Sequence, residues 1–78
     1  QLLAELKQAL TTLPGDQAEE ARAVAAQAEA AVAEAKQGQS RQITREGLQK
    51  AAGNIASVAP AVGVIVYRIL AAIAKMGA

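Results

Sequence analysis

The sequence predicts an all-α fold, a small four-helix bundle, and three observations lead there. Apolar residues recur at three- and four-residue steps in each segment that has a pattern. Residues 17–37 are dominated by alanine, glutamate, glutamine and lysine, all strong helix formers. Helix breakers then divide the chain at Pro14-Gly15-Asp16, at Gly38-Gln39 and at Pro60. The expected helices are residues 1–13, 17–37, 41–58 and 60–76. Residues 62–67 are β-branched enough for a strand in isolation, but a lone apolar strand would have no sheet to join.

In the first helix Leu2, Leu3, Leu6, Ala9, Leu10 and Leu13 fall within about 120° of a helical wheel, with Glu5, Lys7 and Gln8 facing away. Those charges exclude a signal peptide, which needs an uninterrupted apolar run behind a basic start. Gly15 is expected to take the positive φ of a C-terminal cap. Asp16 is expected to cap the second helix, and with Glu19 it has capping-box spacing.

The second helix carries a thin stripe of Ala21, Val24, Ala25, Ala28, Ala31, Val32 and Ala35, which permits close approach but buries little area. Its carboxylates Glu19, Glu20, Glu29 and Glu34 have no His or Cys to join them in metal binding or acid–base chemistry. They read as a solvated face, so Glu29→Gln and Glu34→Gln are each expected to change stability by no more than about 0.5 kcal/mol.

The third helix is expected to start at Ser40 as N-cap, with Ile43, Gly47, Leu48, Ala51, Ile55, Val58 and Ala59 on its apolar face. Arg41 and Arg45 share a side and suit phosphate, yet no aromatic interleaves with them to stack a base. The sequence therefore predicts no specific nucleic-acid binding, only weak, salt-sensitive attraction of Arg41, Arg45 and Lys50 to polyanions. Pro60 lacks the N–H a helix interior needs and excludes Ala59 from the α region, which places a break near Val58-Ala59 and Pro60 in the first turn of the fourth helix.

Residues 55–74 are the most apolar stretch, and 20 residues is the length of a membrane span. Nine large aliphatics contribute about −3 to −5 kcal/mol on an insertion scale, and Arg68 returns about +2.5 to +3.5. The balance lies near zero. On a wheel, Val62, Ile65, Val66, Ile69, Leu70, Ile73 and Met76 fill one arc, while Arg68 and Lys75 share a narrow stripe beside Val64 and Ala71. That placement favours a packed bundle helix with one exposed edge. A membrane-inserting or membrane-anchoring tail through residues 55–74 is the alternative.

Seventy-eight residues make one domain, and a core of that size rarely supplies more than about 3–5 kcal/mol. The chain has no Cys and no His, so neither a disulfide nor a typical zinc site supports it, and Tyr67 is its only aromatic residue. Residues 1–38 hold six acids and three bases (3 − 6 = −3), and residues 39–78 hold five bases and one acid (5 − 1 = +4). Opposite halves attract, within one molecule or between neighbours. Gln1 is not an initiator residue, so the chain is expected to be the C-terminal part of a longer protein.

With no nucleophile–base pair and no glycine loop at a strand–helix junction, enzymatic activity, cofactor and metal are not expected. The expected function is self-assembly, into a closed oligomer or a filament, or docking of a second protein or attached effector domain. The candidate interface is Ile55, Val58, Val62, Ile65, Val66, Ile69, Leu70 and Ile73 with Arg68 and Lys75, because the first two helices are expected to be too poor in large side chains to cover the fourth. The expected compartment is a reducing cytoplasm, in keeping with the absence of Cys.

The order of features is a Leu-rich opening helix, Leu13-Pro14 before an acidic Ala/Glu helix, the basic Arg41–Arg45 start, then the apolar run around Pro60. It resembles a family of short C-terminal helical domains in bacterial proteins, appended to pentapeptide-repeat proteins and to effector or sensor modules of signalling and defence systems. The resemblance implies a non-enzymatic assembly or adaptor piece, and it carries over no functional residue.

Overall fold

In the computed structural model, which describes residues 2–39 and 41–77, α1 spans Leu2–Leu10 and stops short of Leu13. The hydroxyls of Thr11 and Thr12 donate to the carbonyls of Gln8 (2.7 Å) and Ala9 (2.8 Å), three residues back. The amides of Thr11, Thr12 and Leu13 likewise reach back three residues rather than four. Threonine thus offers the backbone an alternative to the helical ladder, and the turn tightens there. Leu13 still packs against the core from beyond the helix end.

α2 (Gly15–Lys36) begins two residues before the sequence suggests. Pro14 stands at the N-cap with φ −59° and ψ 157°, and its carbonyl accepts the Ala18 amide at 2.8 Å. Its ring fixes φ and it has no N–H to satisfy, so the chain enters the helix directly after it. Gly15 is helical, and Asp16 lies inside the first turn, where its charge favours the positive end of the helix dipole. The left-handed glycine among the described residues is Gly38, at φ 74°. Gln39 donates to the Glu34 carbonyl (2.9 Å) and Gly38 to that of Ala35 (3.0 Å), a Schellman ending.

α3 (Gln42–Ala56) follows Arg41 as N-cap, whereas Ser40 lies outside the described residues. The α3 face is also rotated from expectation. Leu48, Ala52 and Ile55 are buried, while Ile43 is 72% exposed and Gly47 faces solvent. Five residues turn a helix by about 140° net, which carries Ile43 away from the side that Leu48 commits to the core. At the corner, Val58 and Ala59 donate to the Ile55 carbonyl, and the Ala59 carbonyl accepts Val62 and Gly63. α4 (Pro60–Gly77) starts on Pro60, as expected of a residue that suits the first helical position.

α2 and α4 touch each other, and each also touches both α1 and α3, whereas α1 and α3 do not meet. The cross-section is therefore a rhombus with α2 and α4 across its short diagonal. The overall extents are 36 × 22 × 15 Å. The largest fully buried side chains are Leu6, Leu48, Ile55, Val62, Val66, Ile69 and Ile73, four of them from α4. Facing them, α2 offers Ala21, Ala25, Ala28, Ala31 and Ala35. Alanine lets the α2 backbone come close, so α4 is covered by proximity rather than by bulk. This corrects the expectation that the first two helices leave α4 short of cover.

Residues 55–74 do not form one helix, because residues 57–59 interrupt it. Among the described residues no helix is long and apolar enough to cross a membrane.

Candidate functional site

The ten residues proposed from sequence separate into two groups. Ile55, Val62, Val66, Ile69 and Ile73 are at most 1% exposed and belong to the intramolecular core. Ile65 and Leu70 are half-buried against it. Val58, at the α3–α4 corner, is 37% exposed, and Arg68 and Lys75 face solvent. The surface that remains is the outward edge of α4, where Val64 (52% exposed), Tyr67 (45%), Arg68, Ala71 and Lys75 follow one another at helical spacing.

The wheel reading placed Val64 and Ala71 beside the two cations. Tyr67 was missed, and its position depends on α3. Its hydroxyl lies 3.6 Å from where a Cβ on Gly53 would sit, an ordinary contact distance, so the phenol leans across the α3–α4 seam. α4 has no acidic residue, and neither Arg68 nor Lys75 forms an ion pair among the described residues. An amphipathic ring next to an unneutralised guanidinium is the chemistry of an interaction surface.

On the far side of the rhombus, the outward face of α2 is Glu19, Ala23, Ala26, Ala30 and Ala33, all exposed. α2 holds five acids and two bases (2 − 5 = −3). Two of those acids have partners. Glu29 pairs with Lys7 of α1 at 3.3 Å, both exposed, a bridge worth about 0–1 kcal/mol.

Glu34 is the other, and it is not the solvated carboxylate the sequence suggested. Its Oε1 accepts the Arg41 Nε–H (3.2 Å) and the Arg41 backbone amide (3.3 Å), and its Oε2 accepts Arg41 Nη2 (3.3 Å) and the Thr44 hydroxyl (3.0 Å). The carboxylate ties the end of α2 to the start of α3 across the Gly38 turn. Hydrogen bonding from the Arg41 side chain holds its pKa below the ordinary 4.5, helped by Thr44 and the Arg41 amide and opposed by partial burial.

A lowered carboxylate pKa stabilises the fold above the unfolded-state value and loses that contribution as pH falls through the folded one. Glu34→Gln is therefore expected to lower the urea midpoint at pH 7, and by more than Glu29→Gln does. The gap between Glu34→Gln and wild type should narrow below pH 4.5. Equal midpoints for the two glutamine variants at pH 7 would mean that the clasp contributes nothing.

Among the described residues no group of His, Cys, Asp or Glu is placed to hold a metal ion. An open apolar groove of about 180 Å³ runs between α1, α2 and α4, lined by Leu2, Leu3, Val32, Ile69, Ile73 and Met76, with Lys36 its one charged group. No family model, curated protein or solved structure matches the chain.

Proposed function

We propose that this chain is a non-enzymatic interaction module that associates with copies of itself through the outward face of its C-terminal half. It would serve as an adaptor or scaffold for an attached protein in the cytoplasm. One observation carries the reading. The five large exposed hydrophobics, Ile43, Val58, Val64, Tyr67 and Met76, all lie in the half of the chain whose net charge is +4 (5 − 1). Scattered exposed aliphatics need no explanation, but Val64 and Tyr67 stand together on α4 beside Arg68 and Lys75, which form no ion pair among the described residues, and that mixture suits a partner surface. The small core adds a motive, since burial between copies supplements what a chain of this length buries alone.

Sedimentation velocity on the lipid-free chain across a concentration series tests this, with Arg68→Glu as the probe. Arg68 is exposed and forms no ion pair among the described residues, so its reversal leaves the fold intact. Wild type is expected to sediment as species larger than one chain. Arg68→Glu should remain helical and associate at least about tenfold more weakly, the scale of one disrupted charged contact. A wild type that stays monomeric at millimolar concentration would contradict the proposal, and its capture by liposomes would point to a lipid surface instead.

A further inference from the structure

Resting on the self-association reading, we infer that assembly joins unlike faces: the outward face of α4 on one copy seats on the outward face of α2 on the next. Charge selects this pairing. α4 presents Arg68 and Lys75 with no acid, whereas the first turns of α2 carry Asp16, Glu19 and Glu20, none in an ion pair among the described residues, against the single base Arg22. The alternative, a two-fold contact of α4 with its own copy, would turn Arg68 and Lys75 towards the same two cations. Surface relief agrees with charge. The α2 face is flat, with methyl groups at Ala23, Ala26 and Ala30, so Val64 and Tyr67 of the incoming helix meet no bulky side chain along its spine.

The fold then sets the symmetry. α2 and α4 stand across the short diagonal of the rhombus, so their outward faces lie on opposite sides of the molecule. A contact between opposite faces leaves one face free at each end and continues copy by copy unless its rotation closes a ring. α4 is only about 27 Å long at 1.5 Å per residue. A single helix-on-helix contact of that length belongs to the small, transient class of interface. Association is therefore concentration-dependent and weakens as salt screens the charges.

Two variants, each blocking one face, test the inference by sedimentation, with circular dichroism to verify that both stay helical. Val64→Ser/Arg68→Ala/Lys75→Ala strips the α4 face, and Ala26→Lys/Ala30→Lys crowds the α2 face with cations. Every substituted position is exposed. Each variant alone is expected to be monomeric, and an equimolar mixture should give a heterodimer that grows no further, because one live face of each kind remains. If Ala26→Lys/Ala30→Lys assembles like wild type, unlike-face docking is wrong while self-association stands. A mixture that stays monomeric overturns the inference in the same way. A monomeric wild type removes both readings together.

Discussion

Ile69→Asp is expected to unfold the chain. Ile69 is 1% exposed in the middle of α4, where Val62, Val66 and Ile73 continue the same buried face. The substitution forfeits about 1.5–3 kcal/mol of aliphatic burial. It also leaves a carboxylate with no buried partner, which costs several kcal/mol more or forces the group to protonate. A core of this size supplies only about 3–5 kcal/mol in total. Far-UV circular dichroism should register loss of most helical signal at 25 °C. From sequence alone Ile69 belonged to the candidate interface, with a part in the monomer's own fold left open; a purely interfacial Ile69 would leave the variant folded. A helical, monomeric Ile69→Asp protein would restore that view.

Gly63→Ala should be the most damaging single methyl added to the chain. A Cβ on Gly63 would lie 2.6 Å from the Ala56 Cβ, 2.8 Å from its Cα and 3.3 Å from its amide nitrogen. Two of those atoms are backbone, so no side-chain rotation relieves the clash, and α3 and α4 must move apart where the 57–59 corner joins them. Overpacking of this kind costs about 1–3 kcal/mol. The gain in helix propensity offsets only about 0.5–1 kcal/mol of it. Gly47 is the matched control, because a Cβ there meets nothing within 4 Å. Gly47→Ala is expected to stabilise by about 0.5–1 kcal/mol. Urea denaturation should thus move the two midpoints in opposite directions with unchanged slopes. Two shifts of the same sign would mean that the α3–α4 approach is looser than described.

These two helices illustrate what could be read from sequence and what could not. The buried stripe of α2, the ending at Gly38 and the start of α4 at Pro60 follow from residues close together in the chain, and all were legible. So was the exposed edge of α4, because Arg68 and Lys75 fall seven residues apart on one side of the wheel. The division of the apolar C-terminal residues into core and surface was not legible, since it depends on which arcs of α4 the other three helices cover. Ile43 failed for a related reason. Ile43 and Leu48 lie on different sides of α3, so its sequence offers two plausible faces, and the tertiary choice of Leu48 decided between them. The Glu34 clasp needed the Gly38 turn to bring Arg41 and Thr44 back onto α2, a geometry that spacing along the chain does not reveal. Thr11 and Thr12 did carry a signal, their habit of bonding to the preceding turn, but the leucine periodicity overrode it.

The central claim is that residues two apart on α4 have different duties: Val66 holds the monomer together and Val64 faces another copy. Methyl-resolved NMR across a dilution series tests it most directly. Val64 methyl signals should shift or broaden as concentration rises, while those of Val66, Ile69 and Ile73 stay fixed. Signals that are all invariant up to millimolar concentration, or that move at Val66 as much as at Val64, would contradict the account.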